Sequence, residues 1–433
     1  MSNEKRLFQK PRGTRDILPA QQSAWRFFEL SAENVLFGLG FSKIDTPIFE
    51  DRQIFERSAG AGTDIVEKEL FSIESRRDDE ENSYVLRPEG TAGVVRAYIE
   101  NGMMSWPQPV RLFYFGPMFR YERPQAGRFR EHRQLGLEII GDASAESDFL
   151  SIFAAIEILK KLSFNNITLA INSIGCPKCR PKFIDGLKKY YSAKLENLCE
   201  DCRRRYESNP LRLLDCKNSQ CQSAKNETPK FVNFLDDECK EHFADLKIML
   251  DDFGIKYTID NSLVRGFDYY TKTVFEISAG TDAKRVNTFV GGGRYDGLVE
   301  TLGGAKTPAV GFGMGADRVV AEIISSGVKI PKPLGVEIYL ICFDNSAKEM
   351  AMKVYRQIDD AEINIFYLPS DDSLSNQLKS AAKIGAEFAI IIGENEVKGN
   401  QIVLRDLEKS TQEIIKFDDI IPLISKRLLR SSQ

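Results

Sequence analysis

The chain has 433 residues, 42% of them hydrophobic, so it is long enough for two or three domains with apolar cores. Its formal net charge of −4 excludes a general basic field for nucleic acid, so any RNA contact needs a local basic patch. The first residues, MSNEKR, contain no apolar secretion signal, and no apolar run in the sequence is long enough to span a membrane. We therefore expect a soluble, cytoplasmic protein with no membrane partner.

Short strands and inserted helices alternate over the larger part of the chain. Hydrophobic periodicity predicts helices at 21–37, 147–162 and 233–253, and strands at 42–46, 84–87, 110–119, 135–140, 167–174, 257–259, 272–277 and 288–290. Strands joined by hairpins, with helices inserted between them, indicate an antiparallel α+β domain.

A different pattern begins after the segment KIPKPLG at 329–335, which is typical of a linker. Strands and helices then alternate as βαβαβ, which predicts a mostly parallel sheet in a separate α/β domain. The predicted strands are 336–343, 364–368, 388–392, 401–407 and 413–417, and the predicted helices are 347–360, 374–384 and one at the C-terminus. The predicted domains are 1–328, interrupted by a polar cysteine-rich insertion at 176–232, and 336–433.

The segment 119–138, FRYERPQAGRFREHRQLGLE, places five arginines and three glutamates around the turn between two predicted strands. Arginine suits two-pronged recognition of phosphate or carboxylate, so the cluster indicates a polyanionic substrate such as ATP beside an amino acid. Arg120 and Glu122 share one face of the first strand end, and Gln134 and Glu138 share one face of the returning strand. A solvated surface loop is the alternative, but these polar side chains have little to bury against, which favours a polar pocket.

Two further motifs offer polar side chains beside glycines. LRPEGT at 86–91 offers Glu89 and Thr91 as joint partners of an ammonium group. LVRGFDYYT at 263–271 offers Arg265 as a phosphate clamp and tyrosine hydroxyls as directional partners of a polar side chain. The alternative for the second motif is an ordinary β-turn with core tyrosines.

Two glycine-rich segments follow. The three glycines of FVGGGRYDGL at 289–298 allow the backbone to approach a flat ligand, although this is not a phosphate loop because no Walker lysine follows. GFGMGADR at 311–318 indicates strand, turn and helix, with Arg318 in the first helical turn and in reach of a terminal phosphate or a base. Each motif taken alone is more often structural.

Seven of the eight cysteines fall between positions 176 and 239, which favours metal ligands or free thiols over disulfides in a chain without an export signal. Two C-x2-C pairs separated by nineteen residues match a zinc-ribbon spacing. We predict a structural zinc site at Cys176, Cys179, Cys199 and Cys202. Neither histidine, His132 or His242, stands at a metal-ligand spacing from the cysteines, and we expect His242 on the surface of a helix.

Five of these segments agree in order with the motifs of one enzyme family. FRYERPQAGR followed by QLGLE resembles motif 2 of class II aminoacyl-tRNA synthetases, and GMGADR resembles motif 3. LVRGFDYYT and GGGRYDGL resemble the two histidine-specific motifs of histidyl-tRNA synthetases, and the resemblance extends from PRGTRD at 11–16 to the C-terminal domain. The helix at 21–37 with Pro47 matches motif 1, the dimer interface of class II enzymes, so the resemblance implies a homodimer.

The resemblance implies a class II antiparallel sheet flanked by helices, on which L-histidine and ATP bind. It implies that Arg120 and Arg265 are the catalytic residues, with Arg120 on the α-phosphate and the histidine carboxylate and Arg265 stabilising charge on the α-phosphate. Glu89, Thr91 and Gln134 would hold the ammonium group. The full set implied for histidine is Glu89, Thr91, Arg120, Gln134, Glu138, Arg265, Tyr269, Tyr270 and Tyr295, of which Glu138, Tyr270 and the adjacent Tyr269 read the imidazole.

The residues implied to bind ATP are Arg120, Arg128, His132 and Arg318, with Mg²⁺ accompanying the phosphates. Arg128 would meet the distal phosphates, and Arg318 would hold the nucleotide from the other side. Arg123 and Gln125 would approach the acceptor end of histidine tRNA, while the C-terminal α/β domain would bind the anticodon.

The implied reaction is attack of the histidine carboxylate on ATP, which gives histidyl-adenylate and pyrophosphate, followed by transfer to the terminal ribose of the tRNA. Two positions depart from the family pattern. His132-Arg133-Gln134 stands where Phe-His-Gln is usual near adenine, and Asp317 stands where motif 3 usually carries glutamate. A histidine ring at position 132 can still stack on the base, but it holds adenine with a smaller surface.

Three alternatives remain at this point. A catalytically silent regulatory paralogue from histidine biosynthesis would lack the anticodon domain and motif arginines, whereas Arg120, Arg265 and Arg318 are present. A class II synthetase for another amino acid disagrees with RGFDYYT and with Glu138 opposite the tyrosines. A tRNA-binding module without activity disagrees with the complete set of arginines that would face ATP.

Overall fold

The chain forms two compact units in this computed structural model, Met1–Pro331 and Lys332–Gln433. The structure describes residues 8–60, 63, 65–74, 83–122, 129–225, 227–280, 287–331, 335–342, 347–368, 370 and 372–431, with side chains up to 428. Among the described helices, none combines the length and apolar character that crossing a membrane requires.

The first unit is built on one large, mainly antiparallel sheet. Its described strands are β1 (Ser42–Lys43), β2 (Phe49–Asp51), β3 (Phe71–Ser72), β4 (Tyr84–Leu86), β5 (Val110–Phe119), β6 (Glu131–Ile140), β7 (Asn166–Ser173), β8 (Tyr257–Ile259), β9 (Thr271–Gly280), β10 (Asn287–Arg294) and β11 (Ala309–Gly315). Eight of them pair in the order β1-β5-β6-β11-β10-β9-β7-β8, and β2-β4-β3 form a small second sheet. Only the outer pairs β1/β5 and β7/β8 of the large sheet are parallel in the described chain, so the predicted antiparallel α+β fold is confirmed.

Ten α-helices are described in this unit. They are α1 (Pro19–Gly38), α2 (Arg52–Ala59), α3 (Thr91–Glu100), α4 (Ala145–Lys161), α5 (Arg180–Ser192), α6 (Glu200–Ser208), α7 (Ser219–Lys225), α8 (Asp237–Asp252), α9 (Leu298–Thr301) and α10 (Ala316–Ser325). Helix α1 packs on α4 and α10, and α4 and α10 pack on the sheet. Pro19 suits the first position of α1 because its missing N–H would have no helical partner there.

Strand β6 divides its side chains between an apolar and a polar face. Leu135, Leu137 and Ile139 point into the main core, where Trp25 and Phe28 of α1 also pack. The alternate residues therefore point to the opposite face, which is where the polar residues of this strand stand. The strand begins at Glu131 rather than at the predicted residue 135, because its ladder with β5 continues to the pair Phe119 and Glu131.

The second unit is a five-stranded sheet with helices. Its described elements are the strands β12 (Ile338–Cys342), β13 (Ile365–Tyr367), β14 (Phe388–Ile392), β15 (Gln401–Asp406) and β16 (Thr411–Lys416), and the helices α11 (Lys348–Asp360), α12 (Leu374–Lys383), α13 (Glu394–Gly399) and α14 (Ile420–Ser431). The order is β13-β12-β14-β15-β16, parallel among the first three and antiparallel beyond β14. The predicted βαβαβ pattern with two further strands is confirmed.

A buried charge network joins three elements behind the large sheet. Arg294, at the end of β10, is fully buried and lies 2.6 Å (Nη2) from Oδ1 of Asp148 in α4. The second oxygen of Asp148 lies 2.6 Å from Nε2 of His242 in α8. The expectation of a surface His242 is therefore wrong, because α8 packs on α4 and turns this side chain toward Asp148. Burial alone would raise the pKa of Asp148, but Arg294 and His242 hold that pKa below its usual range.

We predict that Asp148→Ala lowers the free energy of unfolding of the first unit by about 3–5 kcal/mol, because it leaves the Arg294 guanidinium buried without its partner. Both tryptophans, Trp25 and Trp106, lie in this unit, so tryptophan fluorescence during urea unfolding reports on it alone. The matched control is Asp252→Ala, which removes an exposed aspartate from α8 and is expected to change stability by less than about 0.5 kcal/mol. Equal effects of the two substitutions would contradict the structural role of the network.

Candidate active site

A cavity of about 710 Å³ opens on the polar face of the large sheet. Its size lies in the range of about 300–1,000 Å³ that small-molecule and cofactor sites occupy. Gln134 of β6, Gly291 of β10 and Gly313 of β11 line its floor. Thr91 at the start of α3 and Arg318 at the start of α10 line its sides, so two helix N-termini border the cavity.

Most of the residues predicted to form a site lie together on the wall of this cavity. They are Glu89, Thr91, Arg120, His132, Gln134, Arg265, Tyr269, Tyr270 and Arg318. Glu138 and Tyr295 are buried behind the wall, where Glu138 accepts a hydrogen bond of 2.8 Å from the Thr91 hydroxyl. Arg123, Gln125 and Arg128 lie outside the described residues, and their roles stay predictions.

Glycines of β10 and β11 make room for the charged side chains beside them. A Cβ atom on Gly291 would lie 1.9 Å from a guanidinium nitrogen of Arg265. A Cβ atom on Gly311 would lie 2.0 Å from a carboxylate oxygen of Glu138. No side chain fits at either distance, so both strands need glycine where these groups approach the backbone.

Two buried carboxyl groups stand at the start of α3. The Glu89 carboxylate accepts hydrogen bonds from the backbone amides of Thr91 (2.7 Å) and Ala92 (2.9 Å), which orients it at the helix N-terminus. Tyr295 donates its hydroxyl proton to Glu138. Burial raises the pKa of Glu89, and it raises the pKa of Glu138 to about 8. Near neutral pH Glu138 is therefore mainly protonated in the free protein and offers both a donor and an acceptor.

Two arginines face the cavity from different elements. Arg120, just after β5, donates through Nε to the carbonyl of Pro88 at 2.8 Å. Arg265 donates through Nη1 to Glu276 at 2.7 Å, while its buried Nε has no hydrogen-bond partner among the described residues. A buried donor of this kind on a cavity wall is typical of a group that binds a ligand. The pair of guanidinium groups makes the cavity suitable for phosphate and carboxylate.

Aromatic residues close one end of the cavity. Phe267 and Tyr269 stack with ring centroids 5.0 Å apart and an angle of 9° between the planes. Burial raises the pKa of Tyr269, Tyr270 and Tyr295, so their hydroxyl groups stay protonated. This end therefore combines flat apolar surface with hydroxyl groups that donate and accept hydrogen bonds.

The other end of the cavity combines rings with a cation. Burial, together with the charges of Arg120 and Arg318, lowers the pKa of His132 to about 3, so the imidazole is neutral at physiological pH. Arg318 donates to the carbonyl of Thr288 at 3.3 Å, which places it beside β10. Phe129 lines the same end. Rings beside a cation are suited to a nucleotide base and its phosphates.

Sequence reasoning missed the role of Asp317, which was noted only as a departure from glutamate. Its carboxylate accepts from the backbone amide of Arg133 at 2.5 Å and from the guanidinium of Arg15. Arg15 in turn lies over the ring of Phe129, with 4.7 Å from its guanidinium carbon to the ring centroid. Asp317 therefore fixes the N-terminal segment PRGTRD against β6 and α10. The PRGTRD motif, which contains Arg15, was the sequence signal that could have indicated this contact.

Sequence reasoning also missed residues of the insertion that reach the cavity. Arg205, Arg212, Asp215 and Lys217 line it. Arg212 lies near the backbone of the histidine-specific motif, 3.4 Å from the carbonyl of Arg265. From its sequence the insertion, with Arg203–Arg205 and Lys188–Lys189, was expected either to touch the tRNA acceptor stem or to form a solvated charged surface. No motif connects it to the cavity.

The predicted grouping of Cys176, Cys179, Cys199 and Cys202 around one metal is wrong. The structure separates these two pairs into different clusters, each completed by residues further along the chain. In each cluster the four ligand atoms lie within 4.8 Å of one another, and the clusters are Cys199, Cys202, Cys216 and Cys221, and Cys176, Cys179, Asp236 and Cys239. None of the eight cysteines forms a disulfide in the described chain. Spacing along the chain identified the candidate thiols but not which of them lie together.

Comparison with known proteins agrees with this geometry. The family model described as histidyl-tRNA synthetase matches residues 13–319, and the model described as anticodon binding domain matches residues 337–427. The histidine–tRNA ligase of Thermoanaerobacter pseudethanolicus is 43% identical over 414 residues, covering 96% of this chain and 98% of that protein. The histidine–tRNA ligase of Caldanaerobacter subterraneus subsp. tengcongensis is 41% identical with the same coverage.

A solved structure shares the fold. The apo histidyl-tRNA synthetase of S. aureus superposes with a TM-score of 0.80 at 30% identity, covering 96% of this chain and all of that chain. The class II architecture inferred from the motifs is thereby confirmed. The cavity, its arginines and the two family models lead to one conclusion: the chain belongs to the histidyl-tRNA synthetase family.

Proposed function

We propose that the chain is an ATP-dependent histidine–tRNA ligase, which activates L-histidine as histidyl-adenylate and transfers it to the 3′ end of histidine tRNA. The observation that carries this proposal is one cavity that joins Arg120 and Arg265 to a buried carboxyl–tyrosine cluster. The arginines suit phosphate and carboxylate, whereas the cluster around Glu138 suits a side chain with one donor and one acceptor nitrogen. Adenylation of histidine needs both at adjacent positions.

Histidine recognition follows from the chemistry of the carboxyl–tyrosine end. The ammonium group would lie against Glu89, Thr91 and Gln134, whose oxygens are held by the start of α3 and by β6. The imidazole would face Tyr269 and Tyr270 with Glu138 behind them. Pairing both ring nitrogens rejects analogues without them, because unmatched polar groups would stay buried in the site.

ATP would bind with its α-phosphate between Arg120 and Arg265 and its base near His132 and Arg318. The histidine carboxylate attacks the α-phosphorus, and pyrophosphate leaves. The two guanidinium groups stabilise the charge that develops on the α-phosphate, and Mg²⁺ supplied with the nucleotide neutralises the leaving pyrophosphate. The chain needs no side-chain nucleophile, because positioning and electrostatics account for this step.

The tRNA would contact both units. We assign 1–328 as the catalytic domain, interrupted by the insertion at 176–232, with 329–335 as linker and 336–433 as the anticodon-binding domain. Arg123 and Gln125 would meet the acceptor end, and Arg128 the distal phosphates of ATP. The regulatory alternative was expected to lack an anticodon domain, and the match of residues 337–427 to that domain disfavours it.

We propose that the active form is a homodimer in the cytoplasm, where cysteines outside disulfides are stable. The match of the first helix to motif 1 supports a dimer, and so do exposed apolar rings on the small sheet. Phe49 and Tyr84 lie side by side there, with ring centroids 6.0 Å apart and exposed fractions of 55% and 40%. Sedimentation equilibrium that gives only the 49.0 kDa monomer would contradict the dimer.

Within the insertion, we propose that Cys199, Cys202, Cys216 and Cys221 bind a structural zinc. The sulfur atoms of Cys199 and Cys216 are 3.9 Å apart, close to the edge of about 3.8 Å that a tetrahedral site with Zn–S bonds of about 2.3 Å requires. The amide of Cys199 also donates to the sulfur of Cys221 at 3.2 Å, which stabilises a thiolate. Elemental analysis that finds no zinc would contradict this assignment.

We predict that the wild type exchanges pyrophosphate into ATP with histidine alone among the twenty amino acids, and that Arg265→Ala lowers this rate about 10²–10³-fold. The reason is loss of a cation that stabilises the transition-state charge. The matched control is Arg356→Ala, which removes an exposed arginine of the second unit and is expected to leave exchange unchanged. Exchange with another amino acid would refute the histidine pocket, and no exchange at all would favour the regulatory alternative.

A second prediction concerns the pH dependence of folding stability that the buried carboxyl group of Glu138 causes. The folded protein favours protonated Glu138, since its pKa rises from 4.5 to about 8, so the stability that this group contributes is full below pH 4.5 and is lost as the pH rises through 8. We expect Glu138→Gln, which mimics the neutral group, to weaken this loss of stability between pH 6 and 9 in urea unfolding followed by tryptophan fluorescence. The same variant should lose histidine-dependent exchange, because glutamine, unlike this carboxyl group, cannot release a proton to form the carboxylate that accepts from the imidazole N–H. An unchanged pH profile of stability would refute the buried-carboxyl assignment.

A further inference from the structure

A second cluster of ligand atoms lies where the insertion joins the large sheet. Cys176 and Cys179 follow β7 and precede α5, whereas Asp236 and Cys239 stand at the start of α8. The cluster therefore connects the two ends of the insertion. The three cysteines are 9%, 2% and 1% exposed, so the ligand atoms are largely shielded from water.

The spacing of these atoms fits a tetrahedral metal. The sulfur atoms of Cys176 and Cys179 are 3.7 Å apart, and those of Cys179 and Cys239 are 3.8 Å apart. Zn–S bonds of about 2.3 Å predict an edge of about 3.8 Å. The Asp236 Oδ2 atom lies 3.3 Å from the sulfur of Cys176, near the edge of about 3.6 Å for one oxygen and one sulfur ligand.

Surrounding hydrogen bonds orient the ligands. Backbone amides donate to two of the sulfurs, from Lys178 to Cys176 at 3.4 Å and from Asp236 to Cys179 at 3.1 Å. The Asp236 Oδ1 atom accepts from the amide of Cys239 at 2.9 Å and thereby caps α8. Its second oxygen is left pointing at the sulfurs, as expected for a metal ligand held by its outer neighbours.

We propose that Cys176, Cys179, Asp236 and Cys239 bind a thiophilic divalent cation, Zn²⁺, and that this site fixes the segment carrying Tyr269 and Tyr270. Three thiolates with one carboxylate select zinc over Mg²⁺ or Ca²⁺, which prefer oxygen ligands. This inference rests on the proposed function only for the identity of the amino acid in the pocket. The metal site itself stands on the geometry of the cluster.

Residues beside the ligands hold the tyrosine segment directly. Arg180, which follows Cys179, donates to the carbonyl of Asp268 at 3.3 Å and to the carbonyl of Tyr270. On the other side of the cluster, Gly175 accepts from the amide of Lys272 at 2.8 Å. The backbone is therefore held on both sides of Tyr270 by neighbours of the metal ligands.

The conformation of Lys272 explains why this segment needs support. Its φ of +46° lies in the left-handed region, which is unfavourable for a lysine. The side chain is nonetheless buried, and its Nζ pairs at 2.9 Å with Glu238, the residue before Cys239. A metal that fixes the start of α8 thus also fixes the partner that holds Lys272 in place.

The first test is the zinc content of the full-length protein, purified without a chelator. Elemental analysis should give two equivalents per chain in the wild type and one in Cys239→Ser and in Asp236→Asn. Asparagine caps a helix about as well as aspartate, so the second variant removes the anionic ligand and keeps the cap. The control Asp237→Asn makes the same charge change at the next, exposed position and should retain two equivalents.

The second test measures the steady-state parameters of pyrophosphate exchange. Loss of this metal should raise the KM for histidine about tenfold or more, while the KM for ATP changes less than about twofold, since the ATP-facing arginines are not held by the cluster. Asp237→Asn should match the wild type in both. If the metal only stabilised the fold, its loss would not raise the KM for histidine selectively over the KM for ATP.

The outcomes distinguish the site from its proposed effect. One equivalent of zinc in the wild type that is retained in Cys239→Ser and in Asp236→Asn, or two equivalents retained in both variants, would overturn the site. Loss of one equivalent with an unchanged KM for histidine would overturn the link to the tyrosine segment. If Cys239→Ser does not fold, the number of metal sites can be measured in the wild type by replacing zinc with Co²⁺. The thiolate-to-cobalt charge-transfer absorption should then saturate at two equivalents of Co²⁺ per chain. Zinc content is independent of activity, so failure of the proposed function would leave this test intact.

Discussion

The close approach of charged side chains to bare backbone on the polar face of the large sheet is the constraint on which the site depends. Strands β10 and β11 carry glycine where Arg265 and Glu138 lie against them, and a Cβ at Gly291 or Gly311 would overlap those groups. A sheet face normally fills this space with its own side chains. Because the glycines of β10 and β11 leave this space open, a cavity large enough for two small ligands forms above the sheet.

The same face carries ionisable side chains that are largely shielded from water. The groups that recognise the ligand therefore lower the stability of the folded protein when they are charged. Burial raises the pKa of Glu89 and Glu138, while the helix start at Thr91 and the hydroxyl of Tyr295 orient the two carboxyl groups. Behind the sheet the charges are balanced instead, since Arg294 is fully paired. The raised pKa of the two carboxyl groups and the Nε of Arg265, which has no partner in the described part of the chain, therefore mark places where a ligand is expected to complete the hydrogen bonding.

The cysteine-rich insertion contributes residues to the cavity on the large sheet. Arg212 lines the cavity, and Arg180 holds the carbonyl of Tyr270, so residues far apart in sequence support the same pocket. The insertion has an apolar core of its own, in which Phe183, Leu187 and Phe231 are buried, and its cysteines pack into that core.

The sequence by itself determined the class II fold, the hairpin with its alternating faces, the separate α/β unit and nine of the residues that line the cavity. These follow from local periodicity and from motifs whose residues lie within about ten positions of one another. Only the tertiary structure decided the partners of the cysteines, the burial of His242 and the arrival of Arg212 at the cavity. Asp236 completes a cluster with Cys176 sixty positions earlier, and His242 meets Asp148 across ninety-four positions. Spacing along a chain carries no information about contacts of that range, because they exist only once helices and strands have packed.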